Sequence, residues 1–305
     1  MVSLCTLRKP SNMKVAIYGR KMKTAGFEVF FKTLVSLLDE HHIEFALVSS
    51  YGKFIQKTYG TDYPLCDSTE LAPANFTCLI SLGGDGTVLD TLLLIRDSEL
   101  PVMGINLGRL GFLANIQNEE IEEAVVALKE GRTIIEKRAL IQIDSDISEL
   151  NDFPYALNDF VVQKRDTSAM ITVKASLNDY FLNNYWADGL IVATPTGSSG
   201  YSLSCGGPLL FPGSKSLVIT PIAAHNLTVR PAVISDDTVL KIETSSRADS
   251  VLITLDNRSF IVPANTVLTL KRSHFDFHMI KLNENSYLDT IRNKLLWGAD
   301  KRDFK

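Results

Sequence analysis

A five-residue turn, residues 83–87 with the sequence GGDGT, limits the fold and the chemistry of this chain more than any other stretch. The apolar run 78–82 leads into it and a longer apolar run, 88–95, follows, which is the pattern of a strand, a tight turn and a helix. Because glycines lack Cβ, the backbone N–H groups can approach a ligand and, at the start of a helix, can bind an anion such as phosphate. Asp85 among these glycines has two interpretations: it serves a proton or a metal ion that accompanies the phosphate, or it only caps the helix.

Composition limits the partners and the location of the protein. The 305 residues allow two domains, and the net charge of −4 without a Lys/Arg run predicts neither nucleic acid nor a membrane surface as partner. The four scattered cysteines form no CxxC pair, and no His, Cys and carboxylate cluster has zinc spacing. No segment approaches the roughly 20 apolar residues of a membrane span, and the first residues lack the apolar core of a signal peptide. We therefore expect a cytoplasmic protein.

The pattern of predicted elements changes near residue 132. Residues 13–131 alternate strands with amphipathic helices, which predicts an α/β N-terminal domain with a parallel sheet. Residues 132–284 contain short runs rich in β-branched and aromatic residues, which predicts a β-rich C-terminal domain. Residues 285–305 predict a helix that packs back on the N-terminal domain, and residues 1–12 are expected to be a disordered extension or to follow an upstream start. The active site is expected in the cleft between the two domains.

A second glycine-containing loop, residues 106–113 with the sequence NLGRLGFL, follows another predicted strand. It should therefore lie at the same edge of the sheet as the first turn. Its glycines permit a close approach and Arg109 can pair with phosphate. An ordinary loop with a solvated arginine is an equally good interpretation of this stretch alone.

Two polar stretches interrupt the β-rich region. Residues 188–201 place small hydroxyl side chains and glycines after an apolar strand, which suits hydrogen bonding to ribose or phosphate, and Tyr201 can lie against a planar ring. A plain Ser/Thr/Gly turn is the alternative interpretation. Asn158 and Asp159 stand within an apolar strand, where their polar groups need a partner. That partner is either the hydroxyls or amines of a ligand or the backbone. His225, a lone histidine, indicates no function by itself.

Taken together, these stretches resemble the NAD kinase family over residues 13–297. The turn at 83–87 is also found in diacylglycerol and sphingosine-type lipid kinases and, more loosely, in phosphofructokinases. The other three stretches, in this order, are specific to NAD kinases. The resemblance implies Mg²⁺-assisted transfer of a phosphoryl group from ATP or polyphosphate to the 2′-hydroxyl of the adenosine ribose of NAD, which gives NADP. It also implies a homo-oligomer, either a dimer or a tetramer.

The resemblance assigns roles to individual residues. Asp85 matches the catalytic aspartate. The residues that would bind NAD are Gly86, Asn158, Asp159, Asp188, Ser199, Gly200, Tyr201, Ser204 and His225. Those that would bind the phosphates of the donor are Gly83, Gly84, Thr87, Asn106, Gly108 and Arg109. No residue is assigned as a metal ligand, because Mg²⁺ is expected to bind through the donor phosphates.

The chain departs from the family pattern at three places. The family more often has Glu at the position of Asp159, and Thr-Ala at Ser199-Gly200; both changes preserve polarity and small size, so they bear on affinity rather than activity. Asp256-Asn257-Arg258 stands where many members have Asp-Gly-Gln, and no role is assigned to it. Two alternative functions stay open, a lipid kinase with the same turn and a non-catalytic NAD(P)-binding regulator. We also expect Gly84 either to take a positive φ or to lie against the phosphates.

Overall fold

The computed structural model describes residues 5–6, 13–21, 26–108, 111–165, 170–282 and 286–297. The chain divides into two compact units: unit 1 contains Met1–Lys137 and Phe277–Lys305, and unit 2 contains Arg138–Asp276. The divisions therefore fall after Lys137 and Asp276, compared with the predicted domain boundaries after residues 131 and 284.

The first part of the chain alternates strands and helices. In chain order the elements are β1 (Cys5–Thr6), β2 (Lys14–Gly19), α1 (Phe27–Glu40), β3 (Glu44–Val48), α2 (Ser49–Tyr59), β4 (Leu65–Cys66), β5 (Cys78–Leu82), α3 (Asp85–Ile95), β6 (Val102–Asn106), β7 (Ile116–Gln117), α4 (Ile121–Glu130) and β8 (Ile134–Asp144).

Unit 1 is built on a parallel sheet. Its strands lie in the order β6, β5, β2, β3, β4, and every neighbouring pair is parallel. All residues of β5 and β6 are buried, as expected for a sheet with both faces covered. This arrangement confirms the predicted α/β fold. Leu82 pairs with Ile105, so the turn after β5 and the loop after β6 begin at the same sheet edge.

The helix that follows the glycine turn is fixed by its apolar face. In α3, Val88, Leu92 and Ile95 are buried at helical spacing. They belong to one side of the helix, and this packing holds the first turn of α3, with Asp85, at the edge of the sheet.

The remaining elements are mostly strands. They are β9 (Tyr155–Ala156), β10 (Asp159–Lys164), β11 (Ile171–Leu177), β12 (Tyr180–Ala187), β13 (Gly189–Ala193), α5 (Tyr201–Ser204), β14 (Ser216–Ile222), β15 (Ala232–Ser235), β16 (Leu240–Ser246), β17 (Ser250–Leu255), β18 (Arg258–Pro263), β19 (Val267–Lys281) and α6 (Ser286–Leu295).

Unit 2 consists of antiparallel sheet. Six strands lie in the order β15, β14, β13, β10, β17, β18. A second set, β12, β11, β16 and the first residues of β19, also pairs antiparallel. Alternate residues of β17, namely Val251, Ile253 and Leu255, are buried in a core to which both sets contribute. The predicted β-rich domain is thereby confirmed.

The two ends of the chain contribute to unit 1. Cys5–Thr6 pair with Ile134 and Ile135 of β8. The other residues of the stretch 1–12, for which disorder or an upstream start is expected, lie outside the described residues. In α6, Tyr287 contacts the ring of Phe112, with centroids 6.2 Å apart. Among the residues that the structure describes, no helix is long and apolar enough to cross a membrane.

Candidate active site

The glycine turn after β5 has one position that only glycine fits. Gly83 has a φ of 152°, and a Cβ placed on it would lie 2.2 Å from Thr87 Oγ1. Gly84 has a φ of −92°, so a positive φ at Gly84 is wrong and the strained conformation belongs to Gly83. No atom of the described residues lies within 4 Å of a Cβ built on Gly84. This side of the turn is therefore open to a ligand.

Asp85 begins α3, and the loop after β6 holds its carboxylate. Oδ1 accepts the N–H groups of Leu113 and Ala114 at 2.9 and 3.0 Å, and Oδ2 accepts the N–H of Phe112 at 2.9 Å. A carboxylate oxygen has two lone pairs. Among the described residues, Oδ1 thus has both lone pairs occupied by backbone donors, whereas Oδ2 has one. Oδ2 is therefore the better placed oxygen to accept a proton from a substrate.

Two further groups complete the surroundings of Asp85. A Cβ on Gly111 would lie 1.9 Å from Asp85 Oδ1, so only glycine allows the loop to approach this closely. Lys294 of α6 places its ammonium nitrogen 3.5 Å from Asp85 Oδ2 and 4.9 Å from the centroid of the Phe112 ring. The side chain of Asp85 remains 31% exposed, so its free face is accessible.

Arg20 is a site neighbour that the sequence reasoning missed. It follows β2 directly, and its guanidinium donates to both carboxylate oxygens of Asp90 and, at 3.0 Å, to the carbonyl of Gly86. This bridge fixes the first turns of α3 from the side of β2. The available signal was position: Arg20 follows a strand that pairs with β5 in parallel, so it had to lie at the same sheet edge.

The polar residues of the second loop hold that loop together. Asn106 is buried; its Oδ1 accepts the N–H of Gly108 at 2.7 Å and its Nδ2 donates to the carbonyl of Ala114 at 3.2 Å. Thr87 is also buried, against Gly83. Arg109 lies outside the described residues. Contact of these residues with donor phosphates stays a prediction.

In unit 2, Asp159 is the first residue of β10 and its carboxyl group is unusual. The residue is 8% exposed, and burial together with the neighbouring carboxylate of Asp256 raises the pKa of Asp159 to about 7. Within the part of the chain that the structure describes, no donor forms a hydrogen bond with this carboxylate. A buried carboxyl group of this kind needs a partner, which a ligand can supply.

Asp256, to which the sequence reasoning assigned no role, organises the segment that contains Asn158 and Asp159. Its Oδ2 accepts the N–H of Leu157 at 2.9 Å, and its Oδ1 accepts the N–H groups of Asn158 and Asp159 at 2.7 and 3.2 Å. Burial raises the pKa of Asp256, while these hydrogen bonds and Arg258 oppose the rise. The resemblance at residues 256–258 was the only signal that could have identified it.

The hydroxyl-rich turn after β13 uses most of its own hydroxyl groups. Thr194 Oγ1 donates to the carbonyl of Leu157 at 2.6 Å, and Ser198 Oγ donates to that of Pro195 at 2.7 Å. Ser199 Oγ donates to the carbonyl of Thr196 at 3.3 Å. Thr194 and Ser198 are completely buried. They shape the turn, and a ligand would meet the side chains beyond them.

Tyr201 and Asp188 are two further predicted site residues of unit 2. Burial raises the pKa of Tyr201, and Cys205, Asp159 and Asp188 raise it further, so Tyr201 lies near both carboxylates. Asp188 also forms an ion pair with Lys164 at 2.7 Å.

Gly200 directly precedes the short helix α5 and Ser204 ends it, and the N–H of Ser204 donates to the carbonyl of Gly200. His225 is exposed on the turn after β14, and its N–H donates to the carbonyl of Trp186. Among the described residues, no hydrogen bond or ion pair joins His225 to Asp159 or Asp188.

A glycine turn at the start of a helix and a carboxylate held beside it are features that a phosphotransferase uses. The family models identify the chain further: the ATP-NAD kinase N-terminal domain matches residues 21–133 and the ATP-NAD kinase C-terminal domain matches residues 157–282. The chain belongs to the NAD kinase family.

Individual relatives agree with this assignment. The NAD kinase of Flavobacterium psychrophilum is 42% identical over 295 residues, which cover 95% of this chain and 100% of the relative. The NAD kinase of Flavobacterium johnsoniae is 41% identical over 298 residues, with the same coverage. The resemblance in the sequence is therefore confirmed, and neither the lipid kinase nor the non-catalytic regulator is favoured.

Two solved structures have the same fold. A yeast NADH kinase complexed with NADH superposes with a TM-score of 0.84 at 20% identity, over 95% of this chain and 89% of that one. An NAD kinase from Archaeoglobus fulgidus in complex with ATP gives a TM-score of 0.71 at 24% identity, over 91% and 96%.

Proposed function

We propose that the protein transfers a phosphoryl group from ATP, or from polyphosphate, to the 2′-hydroxyl of the adenosine ribose of NAD and so forms NADP. The observation that carries this proposal is the environment of Asp85. Its carboxylate stands at the start of α3, beside a glycine turn with an open face, and keeps acceptor capacity on Oδ2.

The proposed chemistry needs one proton acceptor. The ribose oxygen attacks the terminal phosphorus, the bond from that phosphorus to its bridging oxygen breaks, and the hydroxyl proton passes to Asp85. The three N–H donors hold the carboxylate in one orientation, which is what in-line attack requires. The N–H groups at the start of α3, with Gly83, Gly84 and Thr87, would bind the donor phosphates.

Unit 2 would supply the groups that hold NAD. The buried carboxyl of Asp159 can bond to hydroxyl or amine donors of the nucleotide, and the half-exposed ring of Tyr201 can lie against a base. The other residues that we assign to NAD are Gly86, Asn158, Asp188, Ser199, Gly200, Ser204 and His225.

A divalent cation, with Mg²⁺ as the expected ion, would enter with the donor. Within the described residues no group of three or more His, Cys, Asp and Glu side chains could hold a metal ion. We assign no residue of this chain as its ligand and expect it to bind through the donor phosphates. Bound there, the cation would offset the negative charge of the transferred group.

We further propose a homo-oligomer and a cytoplasmic location. Strand β12 lies at the edge of its sheet and exposes Tyr180, Phe181 and Trp186 by 81%, 61% and 54%, which supports burial against a second copy. The free thiols of Cys66, Cys78 and Cys205 support a reducing compartment. Light scattering during size-exclusion chromatography tests the oligomer; a monomer at micromolar concentration contradicts it.

Product analysis tests the reaction directly. Purified protein is incubated with Mg²⁺ and with NAD or NADH, and ATP or polyphosphate is added in separate arms, with detergent-dispersed diacylglycerol as a further acceptor. We expect NADP from NAD in at least the ATP arm, dependence on the cation, and no lipid phosphate. Asp85→Asn serves as the matched control. Folded wild-type protein that forms no NADP with either donor would refute the proposal.

A further inference from the structure

We propose that Asp256 is a positioning residue for NAD binding, because its carboxylate fixes the backbone that carries Asn158 and Asp159 and its charge acts on Asp159. This inference rests on the proposed function, in which Asn158 and Asp159 bind NAD. Asp256 itself would touch the protein backbone and act on the nucleotide through these two residues.

The first support is the convergence of donors. Three consecutive backbone N–H groups, those of Leu157, Asn158 and Asp159, point to one carboxylate at 2.7–3.2 Å. Hydrogen bonds to a charged acceptor are about twice as strong as neutral ones. In addition, the N–H of Asp256 donates to the carbonyl of Asp159 at 3.0 Å. Residues 157–159 therefore donate hydrogen bonds to Asp256 and also accept one from it.

The second support is that the carbonyl side of the same segment is held by the hydroxyl-rich turn. Thr194 donates from Oγ1 to the carbonyl of Leu157 at 2.6 Å and from its N–H to that of Asn158 at 2.9 Å. Gly197 packs so closely that a Cβ on it would lie 2.0 Å from the carbonyl oxygen of Asn158. Both the N–H groups and the carbonyl groups of this segment are therefore held in place.

The third support is electrostatic. Burial and the charge of Asp256 raise the pKa of Asp159 to about 7, so both protonation states are populated at neutral pH. Among the described groups of unit 2, the charge of Asp159 raises the pKa of Tyr201, and the charge of Arg258 lowers the pKa of Asp256. Hydroxyl and amine donors of NAD favour the carboxylate form. Binding of NAD should therefore release protons, and the charge of Asp256 adds to the release that burial of Asp159 causes.

Titration calorimetry in two buffers with different ionisation enthalpies measures this proton release. At pH 7 the wild-type protein should release about half a proton per NAD bound. Asp256→Asn keeps Oδ1 but turns an amide N–H₂ toward the N–H of Leu157 and removes the charge beside Asp159. We expect NAD affinity to fall roughly tenfold, proton release to fall below that of the wild type because only burial still raises the pKa of Asp159, and kcat to change less than KM.

Asp236→Asn is the matched control. Asp236 is also a buried carboxylate of unit 2, but it pairs with Arg272 at 3.1 Å. The Asp236→Asn variant should leave NAD affinity and proton release at wild-type values. If Asp256→Asn behaves like this control, the inference is wrong, even when the wild-type protein forms NADP and the proposed function holds.

A second variant covers the case in which Asp256→Asn does not fold. Asp256→Glu keeps the charge but displaces the carboxylate by one methylene. It should weaken NAD binding several-fold while proton release stays near half a proton. Wild-type affinity in this variant would contradict the positioning role, and a wild-type protein that releases no proton would contradict the electrostatic part.

Discussion

Asp85 in unit 1 and Asp159 in unit 2 are the same residue type in opposite surroundings. Asp85 is 31% exposed, its oxygens accept three backbone N–H groups, and an ammonium lies 3.5 Å away. Asp159 is buried beside a second carboxylate, which together with burial raises its pKa to about 7. The three N–H groups fix the orientation of the Asp85 carboxylate, whereas the buried carboxyl of Asp159, which accepts no hydrogen bond from the described residues, can be satisfied by a ligand that brings its own donors.

The contrast separates chemistry from binding. A group that acts in phosphoryl transfer must be held in one orientation before the substrate arrives. A group that recognises the substrate gains its hydrogen bonds only on binding. The free-energy cost of burying that group without a partner is therefore offset when the ligand binds. The following variants test whether the two aspartates divide the work in this way.

The largest effect is expected from Asp85→Asn. The amide keeps the size of the side chain but cannot accept the proton of the ribose hydroxyl. The value of kcat should fall by roughly 10²–10⁴, measured as NADP formed under saturating NAD and ATP. Turnover at a near wild-type rate would show that Asp85 is not the proton acceptor.

Gly83→Ala should come next and should differ from Gly84→Ala. Alanine at Gly83 meets a φ of 152° and Thr87 Oγ1 at 2.2 Å, so the turn must rearrange at a cost of about 1–3 kcal/mol and most activity should be lost. Gly84 has a φ of −92° and an open side. Its alanine variant should keep wild-type thermal stability but raise KM for ATP.

If Gly84→Ala also leaves KM for ATP unchanged, phosphate does not lie against this side of the turn. Thermal melting curves and initial rates for both variants distinguish a rearranged turn from an obstructed one.

Lys294→Met should produce a smaller loss. The substitution keeps the stem of the side chain near Phe112 but removes the charge that lies 3.5 Å from Asp85 Oδ2. We expect kcat to fall about three- to tenfold with KM for NAD unchanged, because Asp85 loses part of its orientation. Lys294→Arg should restore most of the rate. Equal losses in both variants would mean that the ammonium has no specific role.

The smallest effect concerns stability against pH. Because the pKa of Asp159 is raised to about 7 in the folded protein, the protonated form stabilises the fold, and this contribution is lost as pH rises toward and through 7. Asp159→Asn should remove this dependence and raise the melting temperature at pH 8 by about 2–5 °C. At pH 4 the two proteins should melt alike. A variant that melts lower than wild type at pH 8 would contradict the raised pKa.

Local patterns explain why the sequence predicted the main elements. A strand, two glycines and an apolar helix are adjacent in the chain, so the turn at 83–87 could be predicted from residues within about 20 positions. The same holds for the loop after β6. The sequence did not distinguish Gly83 from Gly84, because either glycine can take a positive φ and only the contact with Thr87 decides between them.

The missed residues all act over long distances in the chain. Arg20 binds Asp90, 70 residues later, and Asp256 binds the N–H of Leu157, 99 residues earlier. Neither residue stands out by composition or periodicity, since the need for each arises only when the chain has folded and brought its partner close.

Binding of NAD to Asp85→Asn and Asp159→Asn, measured by titration calorimetry at pH 7 without a phosphoryl donor, tests the division of roles most directly. We expect Asp85→Asn to bind NAD within about threefold of the wild-type affinity and Asp159→Asn to bind it roughly tenfold more weakly. The reverse order, with Asp85→Asn weakened and Asp159→Asn unchanged, would contradict this division of roles.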